Sequence, residues 1–86
     1  MAQKIDKAAV CARFGENLRS LRCQARMSQE ELAERSGLDR TYISGVERGK
    51  RNVSLAAIAQ IARALAVPAA DLVSAVETTS SERDGA

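Results

Sequence analysis

The sequence contains no histidine and no tryptophan, and one phenylalanine and one tyrosine are its only aromatic residues. Without histidine or a CxxC motif, a zinc site is not expected. The chain also has no nucleophile–base set and no glycine-rich phosphate loop. These absences argue against an enzyme, and they give no reason to expect a metal or a cofactor.

Long apolar runs are missing as well. No segment approaches the length of a membrane span, and the N-terminus lacks the apolar centre of a signal peptide. Cys11 and Cys23 fall on one predicted helix, roughly 18 Å apart along its axis, whereas a disulfide needs Cα atoms within about 7 Å. Two unpaired cysteines suit a reducing compartment, so we expect a bacterial cytoplasmic protein without a membrane partner.

What the sequence does contain is aliphatic residues and an uneven charge. Its 86 residues, 45% of them hydrophobic, suffice for one small domain with a core of Leu, Ile, Val and Ala, which favours an all-α fold. Residues 1–52 carry eleven Lys/Arg and seven Asp/Glu, a balance of +4, and residues 53–86 carry two and four, a balance of −2. A basic front half suits a protein that presents one end to phosphate.

Two short helices joined at a glycine are predicted in the middle of the chain. Ser28 is an N-cap with Glu31 three residues later, the pattern of a capping box. Gly37 suits the left-handed conformation that ends a helix. Asp39 is then the N-cap of a second helix, residues 40–48.

The second helix has two different faces. At about 100° per residue, Ile43 and Val46 point towards the core. The opposite face is slim, hydrogen-bonding and basic, as a helix that reads DNA requires. It carries Thr41, Ser44, Gly45 and Arg48.

These residues resemble a known family. Ala33, Gly37, Ile43 and Val46 have the spacing of the helix-turn-helix of Cro and phage-repressor (XRE) proteins. The segment LDRTYISGVERGKRNVSL, residues 38–55, is similar to bacterial regulators of this class, and especially to restriction–modification controller proteins. The resemblance covers roughly residues 14–76. It implies a compact five-helix, lambda-repressor-like DNA-binding domain, and a controller that binds near its own promoter.

The remaining elements follow from spacing and caps. A first helix is expected over residues 8–26, a fourth after Ser54 and a fifth over residues 69–77. The fourth helix is apolar on more than one face, so we expect more than one neighbour to cover it. The predicted organisation is a flexible segment 1–9, a DNA-binding and dimerisation domain 10–77, and a disordered tail 78–86.

The expected DNA contacts are of two kinds. Base-reading residues lie on the exposed face of the second helix, where the fork of an arginine matches guanine. Backbone-binding residues lie at the start of the first helix of the motif, on the flank of the second, and in the basic loop that follows it. The base-reading set is Arg40, Thr41, Ser44 and Gly45; the backbone set is Gln29, Tyr42, Arg48, Lys50, Arg51 and Asn52.

Two further sets have structural roles. Arg22 and Glu47 are expected to form a partly buried ion pair, as the class often does; the alternative is two independent surface charges. A homodimer is expected through aliphatic residues that lack other cover in so small a domain. These residues are Leu65, Val67, Leu72, Val73 and Val76.

The hypothesis is therefore a sequence-specific transcription regulator that binds a symmetric DNA operator as a homodimer. Its controller version regulates its own gene and that of a restriction endonuclease, with RNA polymerase as a further candidate partner. The alternative is a phage-type repressor, or an antitoxin whose main partner is another protein. No ligand-sensing domain follows the helices, so no small-molecule ligand is expected.

Overall fold

The computed structural model describes residues 4–78, and over that range the protein is helical without any strand. The predicted all-α, five-helix fold is confirmed. The elements are α1 (Lys7–Gln24), α2 (Gln29–Ser36), α3 (Arg40–Glu47), α4 (Leu55–Leu65), α5 (Ala69–Leu72) and a short 3₁₀ helix (Val76–Thr78).

Every α-helix contributes at least one fully buried aliphatic side chain to a single core. These side chains are Leu18, Leu32, Ile43, Ile61 and Leu72, taken in the order of the helices. The one phenylalanine of the chain packs into the same cluster. The core is thus aliphatic, as the composition requires.

Helix α1 begins at Lys7 because the carboxylate of Asp6 accepts a hydrogen bond from the N–H of Ala9. The last residues of the segment predicted to be flexible, 1–9, are therefore helical, and residues 1–3 lie outside the described range. The helix ends two residues earlier than expected, before Arg26, which has a positive φ of 59°.

Gly15 allows α1 to lie directly against the end of α3. A Cβ atom at this position would overlap the carbonyl oxygen of Val46 and would lie 2.7 Å from that of Glu47. Both obstacles are backbone atoms, which cannot move aside as a flexible side chain can. No role was predicted for this glycine from the sequence.

The predicted fifth helix, residues 69–77, is wrong in its second half. It ends at Leu72, and Ala75 has a positive φ of 62° before the 3₁₀ helix. The side-chain amide of Asn17 in α1 donates to the carbonyl oxygens of Leu72 and Ser74, both at 2.9 Å. These bonds satisfy carbonyls that the broken helix leaves free. Of the predicted tail, residues 79–86 lie outside the described range.

Helix α4 packs against both α2 and α5, as expected, although one of its apolar side chains remains uncovered. Ile61 is buried, but Leu55 in its first turn is 81% exposed.

Within residues 4–78 no single helix is long and apolar enough to cross a membrane; only α4 and segment Ala69–Thr78 together reach that length, across a bend of 109°.

Candidate nucleic-acid interface

The turn between α2 and α3 has the geometry that its glycine permits. Gly37 adopts φ 78°, and its N–H and that of Leu38 both donate to the carbonyl oxygen of Ala33. The carboxylate of Asp39 then accepts from the N–H of Thr41 at 3.3 Å and caps α3. The chain therefore turns over three residues, and α3 packs against α2.

Only half of the predicted capping box is present at the start of α2. The hydroxyl of Ser28 accepts from the N–H of Glu31 at 2.9 Å. The carboxylate of Glu31, however, does not reach back to Ser28. It pairs with Arg35 one turn later, at 3.1 Å, where the i,i+4 spacing brings the two side chains together.

The end of α3 is fixed by a buried ion pair. The Nε atom of Arg22 lies 2.6 Å from one carboxylate oxygen of Glu47, and its Nη2 lies 3.0 Å from the other. The two side chains are only 12% and 4% exposed, so they are not independent surface charges. Arg22 also donates to the carbonyl oxygen of Met27 at 2.8 Å. The hydrogen bonds to Glu47 hold the pKa of Arg22 above its ordinary value, although burial opposes them.

Gln29 belongs to the same network. Its side-chain amide donates to Glu47 Oε1 at 3.0 Å. The amide is therefore occupied by Glu47, and the predicted side-chain contact of Gln29 with phosphate is not prepared in this conformation. In the first turn of α2 the N–H of Glu31 is taken by Ser28, whereas those of Gln29 and Glu30 have no intrahelical partner and remain suitable for an anion.

Gly49 ends α3 and turns the basic loop towards α1. It has φ 75°, and its N–H donates to the carbonyl oxygen of Val46 while that of Lys50 donates to Gly45. This pair of bonds is a Schellman motif. A Cβ atom at Gly49 would lie 3.1 Å from the backbone of Ala12, so the loop is held closely against α1.

The four predicted base-reading residues do not form one exposed set. Arg40 and Thr41 are exposed in the first turn of α3. Ser44 is half-buried, and its hydroxyl accepts a hydrogen bond from Arg48. Gly45 is buried, although the sequence placed it on the exposed, base-reading face of the helix.

Gly45 is covered by Arg51. A Cβ atom at Gly45 would lie 3.1 Å from Cγ of Arg51, and the guanidinium carbon of Arg51 lies 5.4 Å from the ring centre of Tyr42, within cation–π range. The Tyr42 ring packs partly against the core. Arg51 thus lies along α3, although the sequence placed it in the loop beyond the base-reading surface. The other predicted backbone residues of this region, Arg48, Lys50 and Asn52, are exposed.

The predicted dimer residues are divided by burial. Leu65 and Leu72 are buried in the core of one chain, because α4 and α5 pack against each other, so neither side chain is exposed on the surface of the single chain. Val73 is 38% exposed, and Val67 and Val76 are half-buried. Leu55, which was not predicted, is the most exposed large apolar side chain of the described residues.

The exposed valine lies beside a groove between α1, α4 and the C-terminal segment. Its apolar lining includes Cys11, Phe14, Ile58, Val73 and Val76. Leu55 and Ile58 are one turn apart on α4, so they share a face of that helix. We refer to Leu55, Ile58, Val73 and Val76 as the apolar surface.

Two packed helices joined at a glycine, with an exposed first turn on the second helix and basic side chains beside it, are typical of a helix-turn-helix DNA-binding protein. Comparison with known proteins agrees. The helix-turn-helix family matches residues 18–72, which is more than half of the chain. The chain therefore belongs to the helix-turn-helix family of transcription regulators.

Comparison with individual proteins indicates a narrower class of regulator. The chain is 51% identical over 61 residues to the control protein C.BamHI of Bacillus amyloliquefaciens, covering 70% of this chain and 75% of that protein. It is 54% identical over 52 residues to the control protein C.SmaI of Serratia marcescens, covering 60% and 62%. The crystal structure of the restriction–modification controller protein C.AhdI from Aeromonas hydrophila superposes with a TM-score of 0.71 at 52% identity, covering 72% of this chain and 94% of that one.

Proposed function

We propose that this DNA-binding regulator acts as a homodimer on a two-fold symmetric operator and controls a restriction–modification system. The observation that carries the proposal is the exposure of Arg40 and Thr41 on a helix whose other end is locked by Arg22 and Glu47. Similarity to the control proteins of two restriction–modification systems supports the controller role. The protein would act in the bacterial cytoplasm on its own promoter and on that of the endonuclease, with RNA polymerase as a candidate partner.

In this proposal the first turn of α3 enters the major groove. Arg40 donates both guanidinium Nη groups to O6 and N7 of a guanine, a pairing worth about 1–3 kcal/mol against the wrong base. Thr41 contacts a neighbouring base edge or a thymine methyl. Ser44 remains a candidate once Arg48 turns from its hydroxyl towards a phosphate.

Phosphate contacts then come from both sides of the groove. The free N–H groups at the start of α2, beside Gln29, face one strand, and the helix dipole favours a phosphate there. Arg48, Lys50 and Asn52 are exposed where the chain leaves α3, and the hydroxyl of Tyr42 is a further donor. Such contacts position the protein without specifying sequence.

The apolar surface is the proposed dimer interface. Exposed aliphatic side chains that cluster beside a groove commonly mark an interface. A two-fold dimer would set two α3 helices about 34 Å apart, one turn of DNA. Leu55→Glu and Val73→Glu should each give monomers in sedimentation and weak operator binding. Cys23→Glu, on an exposed position of α1, should remain dimeric. Tight dimers in both apolar-surface variants would place the interface elsewhere.

DNase footprinting on the DNA upstream of the protein's own gene tests the function itself. Protection of a palindrome there, and an endonuclease gene beside it, would support the controller role. Within that palindrome, Arg40→Ala should lower affinity about 10- to 100-fold per half-site and should remove the preference at one base pair. Unchanged discrimination at every position would exclude Arg40 as a base-reading residue.

Arg51 lies closer to α3 than its sequence position suggests, and it is tested beside Arg40. As a phosphate contact, its replacement by alanine should weaken operator and scrambled DNA alike and lower the salt slope by about one. Loss of preference at a single base pair would instead make Arg51 a second base-reading residue.

A further inference from the structure

One acidic side chain stands next to the proposed base-reading arginine. Oε2 of Glu30, in the first turn of α2, lies 3.7 Å from Nε of Arg40, in the first turn of α3. Both side chains are largely exposed, 78% for Glu30 and 55% for Arg40. The pair therefore lies on the surface that would face DNA, where a carboxylate is an unexpected neighbour for phosphate.

Stability does not explain this pair. Exposed ion pairs contribute little, because solvent screens them and two long side chains lose freedom. Glu30 also lies at a helix N-terminus, which would attract phosphate if the carboxylate were absent. Its charge reduces the attraction of this surface for any DNA, whatever the sequence.

The geometry of the contact suggests why that reduction is useful. The closest approach of the carboxylate is to Nε of Arg40, which leaves the two Nη groups at the end of the fork available for a guanine. A phosphate, which has the same charge and hydrogen-bonding capacity as the carboxylate, competes with Glu30 for the guanidinium. A guanine in the correct place does not have to displace it.

We propose that Glu30 is a specificity-determining residue, which holds Arg40 for guanine and opposes its binding to phosphate on random DNA. The proposal rests on the base-reading role of Arg40 stated above. Glu30 acts through Arg40 and touches no base itself, so it is a positioning residue. Its effect is on the ratio between operator and random-DNA affinities rather than on operator affinity alone.

The test compares Glu30→Gln with the wild-type protein by fluorescence anisotropy. The probes are an operator duplex and a scrambled duplex of equal length, over a series of NaCl concentrations. At about 0.1 M salt the variant should bind scrambled DNA about three- to tenfold more tightly, as expected for roughly one added phosphate contact. Operator affinity should change less than twofold, so that the specificity ratio falls and the salt slope for scrambled DNA rises.

Glu34→Gln is the matched control. It makes the same charge change on an exposed position one turn further along α2. If the lost charge acted only in a general way, it would raise the affinities for both duplexes equally, and it would do so in both variants. That result, or a specificity ratio unchanged in Glu30→Gln, would overturn the proposal.

Measurements in an Arg40→Gln background separate the hypothesis that Glu30 determines specificity from the hypothesis that Arg40 reads a base. If Glu30 acts through Arg40, Glu30→Gln should no longer alter the specificity ratio when Arg40 is absent. A change of equal size in that background would overturn the positioning role. If Arg40→Gln alone keeps full base discrimination, the reading role of Arg40 is wrong. If Arg40→Gln loses discrimination but Glu30→Gln has no effect, only the role of Glu30 fails.

Discussion

The two ends of α3 are held in different ways. At the C-terminal end, Glu47 is bonded to α1 and α2, and Gly15 brings the α1 backbone into contact with the last turn. At the N-terminal end, Arg40 and Thr41 extend into solvent, and one carboxylate cap is the main local restraint. One end thus fixes the position of the helix, which leaves the other free to contact DNA without moving the backbone.

The same two residue types form the ion pair at each end, with opposite consequences. Arg22 and Glu47 are buried and joined by two hydrogen bonds. Arg40 and Glu30 are exposed and 3.7 Å apart. A buried charge that loses its partner is costly, whereas an exposed pair is screened and exchanges readily with water or DNA. Burial, and not residue identity, decides which pair is structural.

Breaking the buried pair should have the largest effect on stability. Arg22→Met leaves the Glu47 carboxylate buried without its main partner, and Glu47→Leu does the reverse. Each should lower the free energy of unfolding by about 3–5 kcal/mol. The double variant should lose less than either single one, because no unpaired charge remains. Urea denaturation of the four proteins of the cycle measures this.

The exposed pair of Arg35 and Glu31 is the control for that cycle. Arg35→Met and Glu31→Leu should each change stability by less than about 1 kcal/mol and should combine almost additively. Additive losses in the Arg22–Glu47 cycle as well would show that the two charges stabilise the fold independently.

A methyl group at Gly15 should have the next largest effect. Gly15→Ala places Cβ against the Val46 and Glu47 carbonyls, so α1 and α3 must separate. We expect a loss of about 1–3 kcal/mol in unfolding free energy, as in other overpacked sites, despite the better helix propensity of alanine. Operator affinity should fall with it, because the end of α3 that positions the helix has moved.

Gly45→Ala is the opposite case on α3 itself. The three atoms nearest to its Cβ all belong to the flexible Arg51 side chain, the closest at 3.1 Å, and this side chain can turn away. Alanine should therefore leave stability unchanged or raise it by up to about 1 kcal/mol. DNA affinity should fall because Arg51 loses its place beside Tyr42. A destabilised Gly45→Ala with normal DNA binding would contradict this account.

The sequence predicts the features that depend on local contacts, but it does not predict those that depend on contacts between distant parts of the chain. Ser28, Gly37 and Asp39 act on residues two to four positions away, and Ile43 and Val46 follow helical spacing, so the α2–α3 unit was evident. Gly15 and Asn17 act on backbone atoms 31 and more residues away along the chain. No local pattern reveals such contacts, which is why the break after Leu72 was missed.

A small loss of stability is expected when the cap at the free end of α3 is removed. Asp39→Ala removes the acceptor for the N–H of Thr41, which should cost about 1 kcal/mol of stability and loosen the turn that carries Arg40 and Thr41. The hydroxyl of Ser54 caps α4 in the same way, since it accepts from the N–H of Ala57 at 3.0 Å. Ser54→Ala removes this cap and should also cost about 1 kcal/mol of stability. Asp39→Asn retains a cap but removes the charge, so it serves as the reference for DNA binding.

Relative to Asp39→Asn, Asp39→Ala should lower operator affinity, because DNA must then order a frayed turn before Arg40 can contact a base. Ser54→Ala should leave the ratio of operator to scrambled-DNA affinity unchanged, since α4 begins outside the proposed contact region. Thermal unfolding and anisotropy titrations on the three variants provide both quantities. Equal effects of the two alanine variants on that ratio would mean that the first turn of α3 does not act as the free, base-reading end of the helix.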